Sequence, residues 1–144
     1  MSEPIWWLTK DGDKSCLALY ERHYSAHRYA DGRARYQFVG PGAHIVLRTA
    51  AADAVFVWRD YIDDTIPKQH GVECALFRNE GPLLSSELVR QADAIADLCW
   101  PGQRHYTKVD PKKVGGTNPG YCFIRAGWRR CGFTKNGKLI LERI

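Results

Sequence analysis

The chain has 144 residues, of which 44% are hydrophobic and 26% are charged, and its formal net charge at pH 7 is +5. This composition is typical of a folded globular chain, here interpreted as one domain spanning residues 1–144, and it excludes collagen-like, low-complexity and wholly disordered classes. No apolar run approaches the roughly 20 residues of a membrane-spanning helix. The N-terminal residues lack the pattern of a signal peptide, so we expect an intracellular protein without a membrane partner.

The first half of the chain predicts a strand, a helix and three further strands. Residues 5–8 form a short apolar run typical of a strand, and the apolar spacing within residues 15–23 favours a helix. Residues 24–33 show no clean period and are interpreted as a loop. Three β-rich runs follow and predict an antiparallel meander, at residues 35–39, 44–49 and 54–58.

The second half begins with a polar loop at residues 60–71 and a buried strand at residues 72–77. A long amphipathic helix then begins near Ser85, with Ser85 or Ser86 as its N-cap and Pro101 as its stop. The remaining elements are a strand at 105–109, a short helix at 121–126, and a hairpin formed by residues 128–133 and 139–142.

This order of elements predicts a mixed α/β or α+β architecture with one central sheet. In such folds the ligand commonly binds where a strand meets the helix that follows it. We therefore expect a phosphate site near Gly81. The positive net charge favours an anionic partner such as nucleic acid or a phosphorylated cofactor, although a basic surface that only maintains solubility is the alternative.

The C-terminal part of the chain carries a familiar pattern. It contains Asn118, an aromatic residue, Ala126-Gly127-Trp128 and the later Gly132. This run resembles the GNAT superfamily of N-acetyltransferases, in which such residues mark the last helix and strand. Four further segments narrow the resemblance to the phage Mom branch, whose members modify a DNA base; these are residues 22–25 (Arg-His-Tyr-Ser), 77–81 (Phe-Arg-Asn-Glu-Gly), 84–88 (Leu-Ser-Ser-Glu-Leu) and 106–111 (Tyr-Thr-Lys-Val-Asp-Pro).

The resemblance covers roughly residues 15–142 and implies both a fold and a reaction. The implied GNAT-like fold has a central, mostly antiparallel sheet, helices on both faces, and two strands that splay apart at the active site. The implied reaction transfers an acyl or amino-acid-derived group to a nucleobase amine of phage DNA, in the cytoplasm of the bacterial host, and so protects that DNA from restriction. The donor would be acyl-CoA, such as acetyl-CoA, or an aminoacyl-tRNA.

Five residues are candidates for the chemistry. His23 is a base near neutral pH by residue type, and Asp110, at the end of a predicted strand, would orient a partner or accept a proton. GNAT enzymes commonly place an acidic tyrosine where this chain has Phe123, so Tyr106 or Tyr121 would have to replace it. Tyr24 would hydrogen-bond the target base. The candidates are His23, Tyr24, Asp110, Tyr106 and Asn118. The alternatives are a partly exposed histidine at a helix end for His23, a buried core position for Tyr106 and Tyr121, and a turn residue for Asp110.

The resemblance implies that the donor binds at the turn before the long helix, because backbone N–H groups at a helix N-terminus bind anions. Arg78 would pair with a phosphate, and the two serines would donate to it; for Ser85 the alternative is a simple capping role. The donor-binding candidates are Arg78, Asn79, Gly81, Ser85, Ser86 and Tyr121. We predict no metal site; iron, ligated by His23, His27, His105 and Asp110, is an alternative that the Mom resemblance leaves open.

Arginines interleaved with aromatic residues are typical of surfaces that contact phosphates and stack on bases. Arg28, Arg33 and Arg35 have this pattern, and Lys112 and Lys113 lie in a glycine-rich loop. A base in duplex DNA must be extruded before it can react, and Trp58 would form an aromatic wall for it. The alternatives are an ordinary solvated surface for the charges and a core position for Trp58.

Two other functions stay open at this point. The first is a generic acetyl-CoA-dependent N-acetyltransferase that acts on a small amine or a protein. The second is a GNAT-like binding module that keeps the fold and lacks the chemistry. The sequence does not decide the oligomeric state.

Overall fold

The computed structural model describes residues 4–23, 26, 30–33, 35–113 and 118–144. In this part of the chain, seven strands form one sheet, accompanied by three helices. The strands are β1 (Trp6–Thr9), β2 (Ala43–Thr49), β3 (Ala54–Asp60), β4 (Val72–Asn79), β5 (His105–Val109), β6 (Arg129–Phe133) and β7 (Leu139–Arg143); the helices are α1 (Lys14–Glu21), α2 (Ser85–Cys99) and α3 (Tyr121–Arg125).

The sheet has the strand order β1-β2-β3-β4-β5-β7-β6, and its strand pairs are antiparallel except for β4 and β5. The predictions of a mixed α/β architecture and of a mostly antiparallel sheet are therefore confirmed. The parallel ladder between β4 and β5 contains only the pairs Val72 with His105 and Glu73 with Tyr106. Beyond them the Thr107 hydroxyl donates to the Cys74 carbonyl oxygen at 2.9 Å. Most of β4 thus extends past the ladder.

Two clusters of buried side chains hold the sheet and the helices together. Along β3, Phe56 and Trp58 belong to the first cluster, whereas Val55 and Val57 belong to the second. This alternation follows from the period of two in a β-strand. The first cluster includes side chains of α2 and α3, and the second includes Cys16, Leu19 and Tyr20 of α1.

The strand predicted at residues 35–39 is wrong, because this segment is not part of the sheet. Strand β2 already pairs with β1 on one side and β3 on the other, so no edge is open to a further strand beside it. The backbone N–H groups of Phe38 and Val39 donate instead to the carboxylate of Asp11, at 2.8 and 3.3 Å. The antiparallel meander consists of β1, β2, β3 and β4.

The ends of two helices also differ from the predictions. Helix α1 ends at Glu21, so His23 lies just beyond it, and the Asp13 carboxylate caps its start by accepting from the N–H groups of Ser15 and Cys16. The predicted serine cap of α2 is wrong, because Leu84 occupies the N-cap position. The Ser85 hydroxyl instead accepts a hydrogen bond from the Asn79 side-chain amide at 2.9 Å.

Candidate functional site

A cleft of about 780 Å³ opens where β4 continues beyond its short ladder with β5. Its floor is formed by residues 73–79 of β4 and residues 107–109 of β5. The end of α1 and the segment containing Phe38 and Val39 form one part of the wall, and α3 contributes Cys122 and Phe123. We call this space the β4 cleft. It is of the size that small-molecule and cofactor sites usually have, roughly 300–1,000 Å³.

His23 lines the β4 cleft and is partly buried there. Burial, together with the nearby positive charge of Arg78, lowers the pKa of the imidazole to about 4, although a hydrogen bond with the Phe77 backbone opposes this shift. A histidine with this pKa is neutral at physiological pH. His23 is thus a proton acceptor that is not already protonated.

Arg22 and Arg78 lie at the end of the cleft where β4 terminates, and both bind Glu80. Arg22 donates two hydrogen bonds to the Glu80 carboxylate, at 2.8 and 2.9 Å, and Arg78 donates one at 2.5 Å. These hydrogen bonds lower the pKa of Glu80 to about 2. Two guanidinium groups share one carboxylate, so this end of the cleft keeps an excess of positive charge.

A second charged group is centred on Glu73, near the start of β4. Its carboxylate accepts a hydrogen bond from Arg59 at 2.9 Å and lies 3.2 Å from the ammonium group of Lys108. Lys108 also contacts Asp63 at 2.6 Å, and the guanidinium group of Arg59 lies over the ring of Tyr61 at 3.8 Å. Arg59 Nε is buried and has no hydrogen-bond partner among the described residues.

The cleft is strongly cationic. Among the described residues that line it, seven are Lys or Arg, and the acidic member of the lining is Glu73. Besides the four basic residues of the two groups above, the lining contains Arg35, Lys113 and Lys138. The ammonium groups of Lys113 and Lys138 make no hydrogen bond or ion pair with the described part of the chain. This arrangement suits an anionic ligand.

The other predicted catalytic residues have structural contacts. Tyr106 is buried, and its hydroxyl donates to Asp63 at 2.7 Å, so that burial and this hydrogen bond raise its pKa. The Asp110 carboxylate accepts from the Lys112 backbone N–H at 3.0 Å within a turn. Asn118 is exposed and accepts a hydrogen bond from Arg130. None of Tyr106, Asp110 and Asn118 is among the described residues that line the cleft, and Tyr24 lies outside the described residues.

At the predicted donor turn, Arg78 and Asn79 line the cleft, but the contacts around Gly81 do not fit a pyrophosphate. The Gly81 N–H donates to the Asn79 side-chain oxygen at 3.0 Å. The Asp53 carboxylate packs against Gly81 so closely that a Cβ at this position would overlap it. A carboxylate in this position would repel a phosphate. Ser86 is buried, Ser85 is partly buried, and Tyr121 is exposed outside the cleft lining.

Some of the predicted nucleic-acid residues line the cleft and others do not. Arg35 and Lys113 line the cleft, whereas Arg33 is exposed and pairs with Asp31 at 3.4 Å. Lys112 is exposed outside the cleft lining, and Arg28 lies outside the described residues. Trp58 is fully buried and donates to the Ala92 carbonyl oxygen at 2.9 Å. Its predicted role as an aromatic wall for a base is therefore wrong, because the core already encloses the ring.

Sequence reasoning missed Glu73, Arg59, Arg22, Lys108 and Lys138. One signal for Glu73 was available, since a carboxylate inside the apolar run of residues 72–77 has to be paired when it is buried. The basic residues had no such signal. They are far apart in the chain. The pairing of β3, β4 and β5 brings Arg59 and Lys108 together, whereas α1 places Arg22 and the β5–β7 pairing places Lys138 at the same cleft.

The described residues contain no group of three or more His, Cys, Asp or Glu side chains arranged to hold a metal ion. Of the alternative iron ligands, His105 is fully buried in the core, and His27 lies outside the described residues. In the described ranges, no helix is long and apolar enough to cross a membrane.

Comparison with known proteins gives no match, since no family model, no curated protein and no solved structure matches this chain.

Proposed function

We propose that the protein is a DNA-modifying transferase of the phage Mom-like GNAT type. It would transfer an acyl or amino-acid-derived group to a nucleobase amine and so protect DNA from restriction in the cytoplasm of the bacterial host. The observation that carries the proposal is the β4 cleft, where a neutral histidine lies among an excess of cationic side chains. A nucleic-acid acceptor brings phosphates to such a cleft.

The protonation state of His23 favours a nucleobase over an alkyl amine. An alkyl amine such as a lysine side chain has a pKa near 10.4 and must lose a proton before it can attack a carbonyl carbon. An imidazole with a pKa of about 4 is a weak base for that task. The exocyclic amine of a base is already neutral; it needs an acceptor only when its nitrogen bonds to the carbonyl carbon and becomes acidic. His23 would accept that proton and return it to the leaving group.

The proposed donors are acyl-CoA, such as acetyl-CoA, and aminoacyl-tRNA. The turn at residues 79–82 does not fit a pyrophosphate, so no step of the reaction is assigned to it. Donor phosphates would instead bind the N–H groups of Arg22 and Arg78 that Glu80 does not occupy, since a guanidinium group has five N–H donors. Glu80 holds both side chains in place at the cleft.

The finer fold assignment is also part of the proposal. A GNAT-like fold, with helices on both faces of the sheet and a splay of strands at the active site, is supported by two observations. The ladder between β4 and β5 is short. The α1 side chains belong to one core cluster, and the α2 and α3 side chains belong to the other.

Nucleoside mass spectrometry of DNA from cells with and without the expressed protein tests the proposal. We expect a new nucleoside whose mass difference identifies the transferred group, and its loss in the His23→Gln variant. His44→Gln changes an exposed histidine outside the cleft lining and is the matched control. A second experiment incubates the purified protein with acetyl-CoA or aminoacyl-tRNA and with phage DNA that carries modified bases. A nucleoside profile that stays unchanged both in cells and in this reaction would contradict the proposal.

A non-catalytic binding module is the second candidate. It is favoured by the structural contacts of Tyr106 and Asp110, which leave His23 as the catalytic candidate found in the cleft among the described residues. In that case the protein would bind DNA through the cleft and leave every nucleoside mass unchanged. Acetylation of small amines or peptides without any change in DNA would instead indicate a generic N-acetyltransferase.

A further inference from the structure

The cationic residues of the β4 cleft are spread along it and do not form a single cluster. Arg78 and Glu73, which mark the two charged groups, are five residues apart on β4, or about 17 Å in an extended strand. A single phosphate or pyrophosphate reaches only one of these groups. The Glu73 group is charge-balanced, because Arg59 and Lys108 face the carboxylates of Glu73 and Asp63. A ligand that extends from Arg78 toward this group must be elongated, and its anionic groups belong at the Arg78 end.

Two lysines on the rim add positive charge beside the carboxyl end of β5. Lys113 follows β5, and Lys138 immediately precedes β7, the strand that pairs with β5. Both are exposed side chains that line the cleft. In contrast to Arg59 and Lys108, which already bind Glu73, these two ammonium groups have no partner in the described part of the chain. They are available to phosphates without breaking an internal ion pair.

The shape of the cleft limits what can enter it. About 780 Å³ between the edges of two strands of one sheet is the volume of a small-molecule site, too small for a double helix. Aromatic side chains contribute to its wall: Tyr61 and Phe77 are partly exposed, whereas Tyr20 and Phe38 are buried and stack on each other, with ring centroids 6.0 Å apart. A positively charged groove with aromatic side chains is the usual binding surface for unpaired strands.

We infer that the β4 cleft binds an unpaired stretch of DNA, with Lys113 and Lys138 contacting its phosphates, and that it does not bind an intact duplex. The inference rests on the proposed function in that the acceptor is a base of DNA, and it specifies the form in which that base is recognised. It requires that a base in duplex DNA is already extruded or unpaired when it reaches His23.

Fluorescence anisotropy with the full-length protein tests the inference. The probe is a labelled single-stranded DNA of about 12 nucleotides, compared with the same sequence in a duplex. We expect the single strand to bind roughly tenfold more tightly than the duplex, and Lys113→Glu/Lys138→Glu to weaken its binding by roughly tenfold and to reduce the salt dependence. The matched control is Lys10→Glu/Lys135→Glu, which changes the net charge equally at exposed positions outside the cleft lining. Its affinity should change much less.

Three results would overturn the inference: equal or tighter binding of the duplex, equal loss of affinity in both double variants, or binding of acetyl-CoA but not of the single strand. Nucleoside mass spectrometry, carried out alongside the binding measurement, distinguishes failure of this inference from failure of the proposed function. A new nucleoside together with preferred duplex binding refutes the inference and leaves the transferase proposal standing. Preferred binding of the single strand with no new nucleoside supports the inference and contradicts the transferase proposal.

Discussion

The Asp93 carboxylate of α2 and the His105 imidazole of β5 form a buried hydrogen bond, with Oδ1 and Nδ1 2.7 Å apart. The second oxygen of the same carboxylate accepts from the indole N–H of Trp128 at 2.9 Å. The His105 ring also packs against Trp58, with ring centroids 4.8 Å apart. One carboxylate therefore connects α2 to β5 and to the residue before β6, and all three partners are buried.

Replacing this carboxylate should be costly. In Asp93→Ala two buried donors, on His105 and Trp128, lose their acceptor, and each unsatisfied donor costs about 1–3 kcal/mol. We expect the free energy of unfolding to fall by about 3 kcal/mol in urea denaturation. Glu87→Ala removes a half-exposed carboxylate of the same helix and should cost about 0.5 kcal/mol. A similar small cost for both variants would contradict the structural role of Asp93.

The lowered pKa of His23 predicts how the stability of the protein depends on pH. Its pKa is about 4 in the folded protein and 6.5 in the reference state, so below pH 6.5 the unfolded chain binds a proton that the folded chain does not. Its contribution to stability is thus complete above pH 6.5 and is lost as the pH falls toward 4. Between about pH 7.5 and pH 5 this amounts to about 2 kcal/mol. The carboxyl groups with lowered pKa values, such as Glu80, act at lower pH.

Urea denaturation of the wild type and His23→Gln at these two pH values measures the effect. The variant should lose less stability than the wild type on acidification, because it lacks the titrating group. Equal losses would mean that His23 is not held in its neutral form. His44→Gln, at an exposed position, controls for the removal of a histidine as such.

The segment containing Phe38 and Val39 should depend on Asp11. Its two backbone N–H groups donate to the Asp11 carboxylate, which replaces the pairing that a strand would provide. In Asp11→Ala we expect faster hydrogen exchange at these two amides and a loss of about 1 kcal/mol in unfolding free energy. Asp60→Ala, at an exposed position, should leave both amides unchanged. Unaltered exchange in Asp11→Ala would show that other contacts hold the segment.

We expect residue 81 to be a glycine because the Asp53 carboxylate packs directly against it. A Cβ at Gly81 would overlap the Asp53 carboxylate, so Gly81→Ala should destabilise the fold by about 1–3 kcal/mol. In an Asp53→Ala background the same substitution should cost less, and a double-mutant cycle measures this coupling. If Gly81→Ala abolished transfer without affecting stability, a phosphate site at this turn would be supported instead.

Local sequence patterns were sufficient for most elements. The period of the apolar residues predicts α2, and short β-rich runs predict β1 to β5 and the C-terminal hairpin to within two residues at most ends. The wrong predictions occur where a residue outside the predicted element supplies the hydrogen bonds. The Asp11 carboxylate accepts from the N–H groups of residues 38 and 39, and the Asn79 side-chain amide donates to the Ser85 hydroxyl.

The candidate site was predictable only in part, for the same physical reason. Residue type and motif pointed to His23, Arg78, Arg35 and Lys113, all of which line the β4 cleft. They could not separate these from Tyr106 and Trp58, because burial depends on which side chains pack together across the sheet.

The sequence by itself determined the order and type of the elements, because the apolar period and the turn residues act over a few neighbouring positions. It also determined the excess of positive charge. The tertiary structure alone decided where that charge is concentrated. The limited pairing of β4 with β5 opens the cleft, and residues 22, 78, 108 and 138 meet there only because α1 packs on the sheet and β4, β5 and β7 are neighbouring strands. The neutral state of His23 is likewise a tertiary property, because it arises from burial and from Arg78, which is remote in the sequence.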